Sequence, residues 1–151
     1  MRPEHPGHAE EGQAWREQRS VAATEHARAL ERARAAETAR ARSLLEEFVA
    51  QAEAHGPVAV PLRVRSYDGR VTYRTPLRGW YLRQNRSVAV DTSGEFYVLT
   101  APSSLLGLLR GVTPEPSDPP LVLGKGARDG ESIDLADALA LVLASQPGTA
   151  G

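Results

Sequence analysis

Cysteine is absent from this chain, which excludes disulfides and thiolate metal sites and is compatible with a reducing compartment. Histidine occurs only at positions 5, 8, 26 and 55, ahead of everything that reads as sheet. A Ser–His–Asp arrangement would have to recruit His55, and the chain has no G-x-S-x-G nucleophile elbow. No apolar run approaches the roughly 20 residues that span a bilayer. The opening MRPEHPGHAEEGQ also lacks the apolar stretch of a secretion signal. A soluble cytoplasmic protein with no membrane partner is the expectation. Lysine is almost missing: seventeen of the eighteen basic residues are Arg, leaving Lys125. With the high Ala and Gly content, that bias points to a GC-rich bacterial source.

At 151 residues the chain fits one domain plus accessory segments. Its net charge of −1 hides a segregation. Residues 1–56 carry eight Arg against ten Glu, giving −2; residues 57–86 carry seven Arg against Asp68 alone, giving +6; residues 87–151 carry three basic residues against eight acids, giving −5. Either the two opposed blocks neutralise each other within the fold, or the basic one is a surface for an anionic partner.

Residues 1–12 hold Pro and Gly with no apolar periodicity and read as a disordered leader. His5 and His8 are separated by Pro6-Gly7, which argues against a shared metal. From Gln13 to Ala54 there is neither Gly nor Pro, and Ala, Glu and Arg dominate, which predicts one long helix. Pairs such as Glu25–Arg28, Glu31–Arg34, Glu37–Arg40 and Arg42–Glu46 sit at helical spacing. His55-Gly56-Pro57 supplies the stop. In the distal half Ala41, Leu44, Leu45, Phe48, Val49 and Ala52 form an apolar face fit to dock on a sheet. The proximal half has no leucine heptad and reads as a solvated rod. A thin stripe of Trp15, Ala22, Leu30 and Ala33 is its candidate partner face.

After Pro57 the apolar period changes from 3.6 to 2. Asp68-Gly69 between alternating runs predicts a hairpin with a type I′ turn, pairing Arg63 with Arg74, Arg65 with Thr72 and Tyr67 with Arg70. One face is then Leu62, Val64, Val71 and Tyr73, and the other is arginine-rich. Pro76–Gly79 bends or breaks the chain. Turns at Gln84–Arg86 and Thr92–Gly94 put Leu82 opposite Val88, Trp80 opposite Val90, Val90 opposite Phe96 and Val88 opposite Val98. Trp80, Leu82, Val88, Val90, Phe96 and Val98 are the expected core face, with the Phe48 side of the helix as cover.

Beyond the meander a short helix at Ser104–Arg110 is stopped by Gly111. The proline-rich 112–120 is a connector, and Leu121–Leu123 is a candidate fifth, edge strand. Gly124–Glu131 is a glycine-rich loop. Ser132 or Asp134 can cap a last helix running to about Ser145, with Leu135, Leu139, Val142 and Leu143 inward. The expected class is α+β: a long N-terminal helix on a four-stranded antiparallel meander, with two short C-terminal helices. The segments are a leader 1–12, helix 13–54, α+β domain 57–146 and a fraying tail 147–151.

Nothing here predicts a cofactor, a metal ligand or a catalytic residue. The loop around Lys125 has the wrong order for a P-loop and no Ser or Thr after the lysine. Asp129, Glu131, Asp134 and Asp137 lack calcium-loop spacing and suit a helix N-terminus. The sequence carries no motif by which a family can be recognised, and it lacks the aromatic signature of four-stranded RNA-binding domains. What stands out is the arginine face of the first hairpin: Arg63, Arg65, Arg70 and Arg74 with Tyr67 among them, and Arg78, Arg83 and Arg86 nearby. Guanidinium groups bind carboxylates and phosphates bidentately. The leading expectation is therefore a small adaptor that contacts a protein partner, or a second copy, through its long helix and arginine hairpin. The alternative is a nucleic-acid-binding accessory factor, and an enzyme of unknown class ranks third.

Overall fold

The structure, a computed structural model, describes residues 7–124 and 131–145, with side chains from Ala9 onward. The beginning of the expected leader, most of the glycine-rich loop, His5, Lys125, Arg128, Asp129 and the tail 147–151 lie outside the described residues. The long helix, α1, spans Gly7–His55 and so begins six residues before the expected Gln13. It ends as its sequence dictates: Gly56 adopts φ +83° and its N–H donates to the Ala52 carbonyl at 2.7 Å, the left-handed stop that a β-carbon disfavours.

The chain divides into two compact units between Ala36 and Glu37. The described part of the first is helix, and its large apolar residues Trp15, Val21 and Leu30 are exposed. The Arg19 guanidinium lies 4.5 Å from the centre of the Trp15 ring. The second unit contains the rest of α1 and everything after it. There Ala41, Leu45, Phe48, Val49 and Ala52 are buried at the three-to-four-residue spacing of one helix face.

Strands β1 (Val60–Ser66), β2 (Thr72–Tyr81), β3 (Val88–Asp91) and β4 (Phe96–Val98) form the antiparallel meander, and β5 (Thr100–Ala101) joins β1 in parallel, giving the order β4-β3-β2-β1-β5. Of the registers read from the sequence, Arg63 faces Arg74, Arg65 faces Thr72, Trp80 faces Val90, Val90 faces Phe96 and Val88 faces Val98 as expected, whereas Tyr67 and Arg70 do not pair because both lie in the connecting loop. The Pro76 segment bends β2 without breaking it. Two extra β2 residues are accommodated opposite the stretch between Pro61 and Arg63. The disrupted ladder is repaired by side chains: the Arg63 N–H donates to the Tyr81 hydroxyl at 2.9 Å, and the Thr75 hydroxyl donates to the Leu62 carbonyl at 2.6 Å. Backbone groups freed at a bulge need such partners.

Four details depart from the sequence reading. The first turn is not type I′, since only Gly69 has positive φ (+74°). It is a four-residue loop, closed by a Gly69 N–H bond to the Ser66 carbonyl and a Ser66 N–H bond to the Val71 carbonyl, both at 2.8 Å. The fifth strand is Thr100–Ala101, whereas β6 (Val122–Leu123) pairs with β7 (Ile133–Asp134) in a separate two-stranded sheet. Val98 is 47% exposed, because the face it shares with Phe96 runs out from under its cover. Asp134 occupies the N-cap position of α3 (Leu135–Ala144) without a side-chain cap bond.

Each face of the sheet carries a core over part of its area. Trp80, Leu82, Val90 and Phe96 join Phe48 and Leu45 of α1 and Leu135, Ala138 and Leu139 of α3 in one core, where the Phe48 and Trp80 rings meet edge to face at 5.4 Å. Leu62, Val64, Tyr73, Ala89, Tyr97 and Leu99 make a second core. Helix α2 (Leu105–Arg110) covers part of it. A β-carbon on Gly107 would lie 2.9 Å from the Tyr73 ring, and the Ser104 N–H donates to the Tyr73 hydroxyl at 2.6 Å.

Candidate functional site

The hairpin β1–β2 owes its two-faced character to strand alternation. Leu62, Val64 and Tyr73 point into the second core, so Arg63, Arg65 and Arg74 must point the other way, and all three are exposed. The register sets Arg63 directly across from Arg74 and Arg65 across from Thr72. Arg70 and Tyr67 sit at the connecting loop, where Tyr67 is 73% exposed.

Within residues 57–86 the one carboxylate is Asp68, and it is occupied elsewhere. Its Oδ1 accepts from the Ser66 hydroxyl at 2.6 Å and from the Arg70 backbone N–H at 3.0 Å. The Ser66 hydrogen bond, followed by the Arg70 amide, holds the Asp68 carboxyl below its ordinary range. Asp68 therefore stiffens the turn and leaves the guanidinium groups alone. Arg42 forms ion pairs with Asp118 at 2.8 Å and Glu95 at 3.6 Å in place of the expected Glu46. The helical pairs anticipated from spacing, such as Glu25–Arg28, are not closed. The guanidinium groups of Arg63, Arg65, Arg70 and Arg74 have no ion-pair or hydrogen-bond partner among the described residues.

The other arginines of the basic block are distributed differently. Arg78 lies across the bulge on β2, with Nη2 donating to the Ala59 carbonyl at 3.0 Å. Arg83 and Arg86 belong to the turn between β2 and β3. Arg83 donates to the Glu131 carbonyl at 3.2 Å, and Arg86, at φ +58°, lies 5.3 Å over the Tyr81 ring. The eight candidate residues thus resolve into a ribbon cluster of Arg63, Arg65, Arg74, Arg70 and Tyr67, with Arg78 bordering it and Arg83 and Arg86 apart. The candidate helix face of Trp15, Ala22, Leu30 and Ala33 lies in the first unit and is exposed throughout.

Among the described residues no group of three or more His, Cys, Asp or Glu is placed to hold a metal ion, and no helix is long and apolar enough to cross a membrane. The short helix α2 falls where the sequence placed it, but a feature the sequence reading missed is its outer face: Leu105, Leu106, Leu108 and Leu109 are all exposed, Leu105 by 81%. The signal was there: in Leu-Leu-Gly-Leu-Leu-Arg a short helix that seats its glycine against an aromatic ring must turn both leucine pairs outward.

No protein-family model matches the chain, and neither a curated protein nor a solved structure matches it.

Proposed function

We propose that this chain is a cytoplasmic binding protein, an adaptor that works by contact. Its arginine ribbon docks an anionic surface of a macromolecular partner, and the first unit of its long helix engages a protein or a second copy of the chain. The observation that carries the ribbon reading is the set of four exposed guanidinium groups without internal partners, two of them directly opposed. Like charges facing each other across a sheet cost stability. A fold that needed its own arginines neutralised had exposed acids available, such as Glu115 and Asp137. An anionic partner relieves the repulsion and gains charge-assisted hydrogen bonds. The nucleic-acid alternative is supported by Tyr67, an exposed aromatic ring on the loop that joins the two arginine-bearing strands.

The test is retention of the full chain on immobilised polyglutamate and on immobilised polynucleotide at low and moderate salt. Retention at low salt on at least one support, lost in the Arg63→Gln/Arg65→Gln/Arg74→Gln variant, is the expected result; no retention on either support refutes the ribbon reading. For the helix, sedimentation equilibrium compares the wild type with Trp15→Ala/Leu30→Ala. Weakened association in the variant is expected, and a monomeric wild type that recovers no protein partner overturns that part.

A further inference from the structure

The arginine ribbon shares its sheet face with the core that α1 covers, and the boundary between them is abrupt. Along β2 the residues on this side are Thr72, Arg74, Pro76, Arg78 and Trp80; the first four are exposed and Trp80 is 4% exposed. The change happens where the segment leaving α1 is stitched down. The Trp80 Nε1–H donates to the Pro57 carbonyl at 2.7 Å, and Arg78 donates to the Ala59 carbonyl at 3.0 Å. The ribbon is therefore a shelf. Its floor is the outward side of β1 and β2, roughly 20 Å long from Arg78 to Thr72 at strand rise. Its inner end is set by the Gly56–Ala59 segment that leaves α1, held down by these two bonds. At its open end Tyr67 continues the Arg63–Arg65 side of β1.

We propose that this shelf is a binding site for single-stranded nucleic acid, an inference that rests on the anion-docking reading of the ribbon. Three features select that ligand. The fully buried centre of a protein interface tends to be apolar, and this floor offers arginines, Thr72 and two prolines with no large aliphatic side chain. A flat row of guanidinium groups ending in an exposed aromatic ring is the combination that holds a sugar–phosphate backbone and stacks a base. In a duplex the bases are paired and stacked on one another and offer Tyr67 no free face, whereas the bases of an unpaired strand do. A flexible strand lies along the floor, which accommodates about four nucleotides, the low end of single-strand site sizes.

The experiment is fluorescence anisotropy of the full chain with labelled oligothymidylate, oligouridylate, a mixed-sequence duplex and polyglutamate. The ligands are each about 20 units long, above the minimal site size, and salt is varied from about 50 to about 200 mM. Binding of the single strands is expected to weaken roughly 20- to 50-fold over that range, as for three or four neutralised phosphates. Tyr67→Ala is expected to weaken single-strand binding roughly 5- to 100-fold by loss of stacking while leaving the salt dependence unchanged. Circular dichroism melting confirms that the variant is folded. A duplex bound as tightly as the single strands, or Tyr67→Ala binding like wild type, overturns the inference. Binding of polyglutamate alone overturns it and leaves the broader anion-docking reading standing, whereas binding of none of the four at low salt ends both.

Discussion

The direct opposition of Arg63 and Arg74 makes an unusual prediction: weakening the proposed site should strengthen the fold. Each guanidinium is exposed, they are paired across adjacent strands, and no carboxylate lies between them. Substituting Arg63→Glu removes a like-charged pair and creates an opposite-charged one, and each change is worth roughly 0.2–1 kcal/mol in a sheet. Solvent screening keeps exposed pairs near the lower half of that range, and Glu is a slightly poorer strand residue than Arg. The net expectation is a gain of about 0.5–1 kcal/mol, or a rise in Tm of roughly 2–5 °C for a domain of this size. Arg63→Gln, which only removes the repulsion, should give about half. The assay is thermal melting followed by near-ultraviolet circular dichroism of the Phe48–Trp80 core, repeated at high salt. With a Debye length of about 3 Å at 1 M, the advantage of Arg63→Glu should shrink there. Binding to polyanions should fall in the same variant. A loss of stability that persists at high salt would refute the reasoning, because it would mean that the Arg63 side chain supports the fold through packing.

Three further outcomes follow from the packing and the buried hydroxyls. Gly107→Ala drives a methyl to within 2.9 Å of the Tyr73 ring and should cost about 1–3 kcal/mol by denaturant unfolding, loosening α2 from the second core. Phe48→Ala empties a site that is 2% exposed beneath Trp80 and should cost about 3–5 kcal/mol, with loss of the tryptophan near-ultraviolet signal. Tyr97 donates to Asp91 Oδ2 at 3.1 Å, and its burial, then the Asp91 charge, push its hydroxyl up to about 12. Above the pKa of an unfolded tyrosine the unfolded chain loses this proton while the native state keeps it. Stability should therefore fall between about pH 10 and about pH 12, by up to roughly 2–3 kcal/mol, a slope that Tyr97→Phe should flatten in urea midpoints measured against pH.

The sequence by itself determined the local pairings of this protein. A run free of Gly and Pro, closed by Gly56, can only be helix. Alternation with turns near Asp68-Gly69, Gln84–Arg86 and Thr92–Gly94 leaves one register beside each turn, because a one-residue slip would send Arg63 and Arg65 into the core; it does not announce the two extra β2 residues opposite the Pro61–Arg63 stretch. What alternation cannot determine is which layer lies on each side. Tyr73 and Trp80 are seven positions apart on one continuous strand, an odd number, so they belong to opposite faces. Only the placement of α1 over one face and α2 over the other made both of them core. The same placement left Val98 outside and turned the leucines of α2 to the surface. It also brought Thr100–Ala101, rather than Leu121–Leu123, to the edge of β1. The fate of the arginines was likewise a tertiary matter. The +6 block was legible in the residues, but whether acids elsewhere would neutralise it depended on where the folded chain brings them. In the structure Asp118 and Glu95 meet Arg42, Asp68 serves its own turn, and the ribbon is left to the solvent.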